Sequence, residues 1–222
     1  MKTVVEGAGL PNLLLAAVPI LFMYAPVLAC RLRGVDSWDY PLALPAFSDR
    51  PAWLGSARLA LVTIAVIFVP WLGAYHLWQT TVFPSILEWL GMYAPDWHYR
   101  GTWPRQMALL VGYHLFFVAI PEEMFYRGYV QTRLDEVLPK KWRILGADLG
   151  WGWILAALFF AFGHSLVDPQ WWHFATFFPG LVFGWMRQRT GGIVAGALFH
   201  AWANVQVTTL DTLYGVIPVD PL

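Results

Sequence analysis

One cysteine, Cys30, among 222 residues leaves no partner for an internal disulfide and no thiolate set for a cysteine-rich metal site. Charge is scarce as well. Asp, Glu, Lys and Arg make up 13% of the chain and cancel to a formal net charge of zero, so there is no basic stripe to bind nucleic acid. Three signatures of hydrolytic sites are also missing: HExxH for a zinc protease, GxSxG for a serine enzyme and GxGD for an aspartyl enzyme. Ser165 follows His164 directly, and adjacent helical residues do not face each other, which argues against a Ser-His pair. Neither an internal repeat nor a low-complexity tail is present.

What fills the chain is apolar. Hydrophobic residues reach 58% and mean hydropathy is +0.52, gathered into several runs of near span length, so the expectation is an integral membrane protein forming a single domain over residues 1–222. Fourteen tryptophans, many at the ends of those runs, suit the bilayer interface. The runs predict an all-α, polytopic transmembrane bundle of about six spans. These are Leu10 to Cys30, Arg58 to Trp78, Arg105 to Leu134, Leu149 to Leu166, Trp171 to Gln188 and Gly192 to Leu213. The first run carries Pro19 and Pro26 without a convincing cleavage site, and it reads as a retained anchor in which Cys30 is a small apolar filler.

Between spans one and two, GVDSWDYPLALPAFSDRPAW reads as an ordered loop on the membrane surface, with no helical or strand period. Val82 to Tyr93 is too short to cross and suits an interfacial or re-entrant helix. DEVLPKKWR reads as a charged loop, and Asp168 to Gln170 as a tight link between spans four and five. His76 is expected near the interface. The small residues Gly192, Ala195, Gly196, Ala197, Ala201 and Ala203 would let a neighbouring helix approach the sixth span closely.

Six spans place both termini on one side. Arg31, Arg33, Arg50, Arg58, Arg133, Lys140, Lys141, Arg143, Arg187 and Arg189 fall at one end of the spans, while Lys2, Arg100 and Arg105 fall at the other. By the positive-inside rule the first set is cytoplasmic and both termini are exoplasmic.

Against this background the stretch PEEMFYRGYVQTR stands out, because it follows the apolar run MALLVGYHLFFVAI. A charged side chain at the bilayer centre costs roughly 3 kcal/mol on insertion scales, so such residues face the interior of a bundle. Glu123 and Arg127 are four apart on one helix face, with Glu first, the favoured order for an ion pair. Glu122 has no such built-in partner, and Pro121 predicts a distortion of the helix at the carboxylates. A structural buried pair is the plain alternative reading of this motif. Two further spans carry polar residues at helical spacing: Phe160 and His164, then His200 and Asn204. At 1.5 Å per residue, Glu122 and His200 lie about 12 Å and His164 about 18 Å from the cytoplasmic ends of their spans, which allows one cluster.

The ordered set EExxxR, FxxxH and HxxxN resembles the CPBP family of intramembrane endopeptidases, which includes CAAX prenyl proteases of the Rce1 type and bacterial Abi proteins. The resemblance covers residues 105–213. It implies a bundle with a polar cavity at membrane depth and hydrolysis of a peptide bond in a membrane-associated protein or peptide. It further implies that Glu122 and His164 activate water, that His200 and Asn204 form the oxyanion hole, and that Glu123, Arg127 and Phe160 support the site. Eukaryotic members are larger, with about eight spans.

Such chemistry needs a base, donors for the developing oxyanion and protection from bulk solvent, and these residue types supply them. No cofactor is expected. Glu122, His164 and His200 would also suit a three-ligand zinc site, against which Asn204 weighs, as an amide better placed to donate to an oxyanion. A non-catalytic binding or immunity protein of the same fold is the alternative from another class, and a proton-coupled carrier is a third, weakened by the lack of an inverted repeat. The substrate sequence, its prenylation and the oligomeric state are not encoded in these motifs.

Overall fold

The structure, a computed structural model, describes residues 12–93, 98–167 and 171–217. The link at Asp168 to Gln170 and the chain ends, on which part of the topology rests, lie outside the described residues. Six main helices are found among the described residues: α1 (Asn12–Leu32), α2 (Arg50–Trp89), α3 (Met107–Val137), α4 (Trp151–Val167), α5 (Phe177–Thr190) and α6 (Val194–Leu213). By length and composition two are long and apolar enough to cross a membrane, α2 with 40 residues and α3 with 31. Only 11% of the most apolar window of α2 and 22% of that of α3 is buried. A core helix of a soluble protein would bury most of such a window. Leu54, Leu61, Val66 and Val69 of α2 and Phe116 and Phe117 of α3 instead point outward, as lipid-facing side chains do.

Several segments depart from the expectation. The loop of spans one and two ends early, because Asp49 accepts a hydrogen bond from the Ala52 amide and Pro51 occupies the first turn, so α2 begins at Arg50. The rest of that loop is no mere surface covering. It contains a 3₁₀ turn, Ser37–Asp39, and it buries Tyr40 and Leu42 against Cys30, which is itself fully buried. The segment from Val82 is not a separate interfacial helix, for α2 passes through a π-helical turn at Trp78–Val82 and continues to Trp89.

The charged loop after α3 is a two-stranded antiparallel hairpin, β1 (Lys140–Ile144) and β2 (Ala147–Gly150), which corrects the all-α expectation. Leu145 and Gly146, both at positive φ, close it. Two consecutive left-handed residues are what a two-residue hairpin turn requires. The fifth span is also shorter than expected. Its helix starts at Phe177 because Pro179 is tolerated only in a first turn, and it ends at Gly191, φ +74°. Fourteen residues reach about 21 Å, short of a bilayer's hydrocarbon core.

Packing is centred on α3, α4, α5 and α6. Phe160, Phe183, Met186, Phe199 and Tyr126 form the buried core with Ala60 of α2. The small residues of α6 act as anticipated, Ala197 and Ala201 lying against Ala119 of α3. Helix α5 is bonded through its backbone to both α4 and α3. Trp153 Nε1 donates to the Leu181 carbonyl at 2.7 Å, and Gln131 Nε2 of α3 donates to the Gly184 carbonyl at 3.1 Å. A Cβ on Gly184 would lie 2.6 Å from Gln131 Oε1 and 2.7 Å from the Trp153 ring. Gly184→Val should therefore destabilise the protein by about 1–3 kcal/mol, as overpacking does, and thermal unfolding in detergent should show a lower Tm. An unchanged Tm would mean that the three helices are not held this closely.

Candidate active site

Pro121 lacks the amide that would bond back to the preceding turn, and α3 absorbs the defect by widening. π-helical stretches at His114–Ala119 and Met124–Gln131 flank the short α-helical piece Ile120–Glu123. Such π stretches recur at functional sites. The expected distortion is thus spread over both sides of the two carboxylates.

Glu123 and Arg127 form the expected ion pair, 3.0 Å apart and both fully buried. Arg127 is further held by a hydrogen bond to the Gly180 carbonyl at 3.2 Å, and its guanidinium lies 4.2 Å from the Phe160 ring centre and 4.9 Å from that of Phe183. Phe160 is therefore a platform for the cation. Glu123 has a second contact that spacing along the chain does not reveal: its Oε1 accepts from His200 Nδ1 at 3.1 Å. The close approach of α6 depends on Gly196, whose added Cβ would meet Glu123 Oε2 at 2.8 Å.

An ionised carboxylate can only accept, so the proton of this bond sits on His200 Nδ1. His164 is oriented in the same way, its Nδ1 donating to the Phe160 carbonyl at 3.0 Å. Both imidazoles consequently turn Nε2 toward one carboxylate oxygen. Glu122 Oε2 lies 3.7 Å from His200 Nε2 and 3.9 Å from His164 Nε2, beyond direct hydrogen bonding, and it is buried without a hydrogen-bond partner among the described residues. Phe183 stacks on the His200 ring at 4.6 Å between centres. Glu122, His164 and His200 are thus brought together, with Glu123, Arg127 and Phe160 directly beneath them.

Asn204 lies one turn beyond His200 on α6 and lines a cavity of about 530 Å³ that also reaches His164 and His200. Its walls are mixed in character, with aromatic and aliphatic side chains beside polar ones. Four polar residues of the cavity were not singled out from the sequence: His114, His173, Thr176 and Thr208. His114 Nε2 and Thr208 Oγ1 are 3.4 Å apart. A histidine inside the apolar run MALLVGYHLFFVAI carried the signal that would have found the first. Ser165 bonds to the Ala161 carbonyl and takes no part in the cluster. His76, in the second half of α2, bonds to the Tyr214 hydroxyl at 2.6 Å. Among the described residues, no group of three or more His, Cys, Asp or Glu side chains is arranged to hold a metal ion.

A largely helical bundle with an apolar exterior and a buried cluster of carboxylates and imidazoles beside a cavity defines the class to which the known proteins can be compared. Residues 103–206 match the family described as Rce1-like, type II CAAX prenyl endopeptidase Rce1-like. That segment bears out the resemblance read from the three motifs, and the family is one of membrane proteases. No curated protein and no solved structure matches the chain.

Because Glu123 and Arg127 are sealed from solvent and paired with each other, losing either should cost stability. Removal of one partner from a buried pair costs roughly 3–5 kcal/mol. Glu123→Gln or Arg127→Ala should lower both the yield of folded protein and its Tm in detergent. A normal yield and Tm with activity abolished would place these residues in the chemical step.

Proposed function

We propose that the chain is an intramembrane endopeptidase, crossing the membrane six times and hydrolysing a peptide bond of a membrane-associated protein or peptide. The observation that carries this reading is the convergence of Glu122, His164 and His200 Nε2 on one point beside a cavity lined by Asn204. Gaps of 3.7 and 3.9 Å are too long for direct bonds and suit a water at about 2.8 Å from each group.

Glu122 takes a proton from that water as the hydroxide attacks the scissile carbonyl. His164, its Nδ1 proton committed to the Phe160 carbonyl, steadies the water through Nε2, then receives there the proton that Glu122 took and delivers it to the amine nitrogen as the C–N bond breaks. The carbonyl oxygen becomes an oxyanion facing Asn204 and His200. Asn204 donates through its amide without a change of protonation. His200 donates when Nε2 carries a proton in addition to Nδ1, and the Glu123 carboxylate at Nδ1 is the anion that balances that cation. Glu123 thereby sets the orientation of an oxyanion donor while Arg127 neutralises Glu123.

The reaction so written needs no metal. Residue types alone would also allow zinc on Glu122, His164 and His200, so metal dependence is a matter for the test. Mass spectrometry of membrane proteins, with and without this chain, should show a new cleaved terminus. Glu122→Gln should leave a folded protein that does not produce it, and His200→Ala and Asn204→Ala should each lower turnover by about 100-fold to 1,000-fold, as loss of an oxyanion donor does. Purified protein should keep its activity after exhaustive chelation. Activity lost on chelation and restored by zinc, with stoichiometric zinc bound, would overturn the metal-free mechanism.

A further inference from the structure

A second cavity, of about 860 Å³, lies at the basic end of the bundle and shares no lining residue with the one beside Asn204. Its walls come from α2, the end of α5, the start of α6 and the segment between α1 and α2. Gly55, Gly191 and Gly192 stand in those walls, and a Cβ added to any of them would meet nothing within 4 Å. The space is open where their side chains are missing, and its volume falls in the ~300–1,000 Å³ range of small-ligand sites.

Two arginines line this cavity from different helices, Arg58 of α2 and Arg189 of α5. Arg127, Arg133, Arg143 and Arg187 each face a carboxylate, whereas Arg58 and Arg189 have no ion-pair partner among the described residues. Arg189 is held without being neutralised. Its guanidinium carbon lies 3.0 Å from where a Cβ on Gly146 would stand, so the hairpin turn between β1 and β2 is the surface on which it rests. Ser56 lines the same cavity, is only 6% exposed, and its hydroxyl has no hydrogen-bond partner among the described residues. A buried hydroxyl left unpaired is costly, and an acceptor arriving in the cavity removes that cost. Asp49 is the carboxylate in the wall, and its Oδ1 is committed to the Ala52 amide, so positive charge is in surplus.

Beyond Arg58 the same face of α2 turns apolar. Val62, Val66 and Val69 follow it at intervals of four, four and three residues, which keeps them on one stripe, and they are 54%, 68% and 70% exposed. Val62 belongs to the cavity wall as well. A ligand seated here meets two cations and a hydroxyl at one end and an apolar strip at the other. Inorganic phosphate would use the first feature and leave the second bare.

We propose that this cavity binds an anionic phospholipid, its phosphate shared by Arg58 and Arg189 and bonded by the Ser56 hydroxyl, with an acyl chain laid along Val62, Val66 and Val69. Guanidinium groups match phosphate oxygens in charge and geometry, and basic pockets between membrane helices hold acidic headgroups. The lipid bridges α2 and α5 at the hairpin, and the hairpin's part is to hold Arg189 at the cavity. This site depends on the chain lying in a membrane and is independent of hydrolysis at Glu122.

Full-length protein in neutral detergent is mixed with phosphatidylglycerol or phosphatidylcholine, and retained lipid is counted by native mass spectrometry. The unaltered chain should retain phosphatidylglycerol about 10-fold better or more, given the usual contribution of each basic residue near an acidic headgroup. Arg58→Gln combined with Arg189→Gln should abolish that preference. Arg31→Gln combined with Lys141→Gln removes the same charge from exposed positions outside the cavity and should keep it. If the double arginine variant is not produced, Gly55→Leu decides, because it fills the open space with a better helix former and should lower phosphatidylglycerol retention as far. Equal retention of the two lipids, or equal loss in the two double variants, would overturn the site. Displacement of the lipid by excess inorganic phosphate would reduce the ligand to phosphate alone and overturn the phospholipid. Glu122→Gln should retain the lipid as the unaltered chain does; lipid lost in that variant would tie binding to the catalytic cluster and overturn a separate site. The protease reading fails on its own measurement, through cleaved termini that do not depend on Glu122.

Discussion

The contact on which the bundle depends is the buried one between Glu123 and Arg127. Taking two ions out of water costs several kcal/mol each, and one interaction at 3.0 Å does not cover that cost without further partners. The surrounding helices are arranged as those partners. α5 supplies the Gly180 carbonyl and the face of Phe183, α4 the face of Phe160, and α6 the Nδ1 proton of His200. Each demand fixes a helix at close range, so α5 needs glycines at 180 and 184 and α6 needs one at 196. The electrostatic requirement of one side-chain pair thus sets the spacing of four helices.

Parts of this arrangement were legible because they are local. Four-residue spacing announced Glu123 with Arg127, Phe160 with His164 and His200 with Asn204, and in each case the helix fixes the pair irrespective of its neighbours. The convergence of Glu122 with His164 and His200 was legible only as compatible depths. Glu123 with His200 was not legible at all, since it depends on how closely α6 approaches α3 and on Gly196 permitting it. His114 and Thr208 stand on different helices and meet for the same reason.

Segments that were misread share another cause. The hairpin at Lys140–Gly150 carries lysines and arginine where strand residues are usually apolar, and its turn is Leu-Gly in place of Asn-Gly, so charge concealed it. Hydropathy gave the fifth span its length, but Pro179 and Gly191 set the limits of helix α5. Hydrophobic runs report where apolar residues lie, while helix limits depend on backbone chemistry that hydropathy does not weigh.

Adjacent carboxylates on one helix end in opposite circumstances. Glu123 is 0% exposed and fixed between a guanidinium and an imidazole, so its charge is neutralised at every instant and its position cannot adjust to a reacting group. Glu122, 14% exposed, faces two imidazole nitrogens across gaps wide enough for water and holds no cation in direct contact. Two identical side chains thereby acquire different capacities through environment alone, as pairs of carboxylates in hydrolytic sites do. Fixing the first carboxylate is what leaves the second available. Arg127 is consumed by Glu123 and the Gly180 carbonyl, so the strongest positive charge in the core is not spent on Glu122. The buried pair therefore leaves its neighbour without a direct cationic partner as well as setting the spacing of the helices.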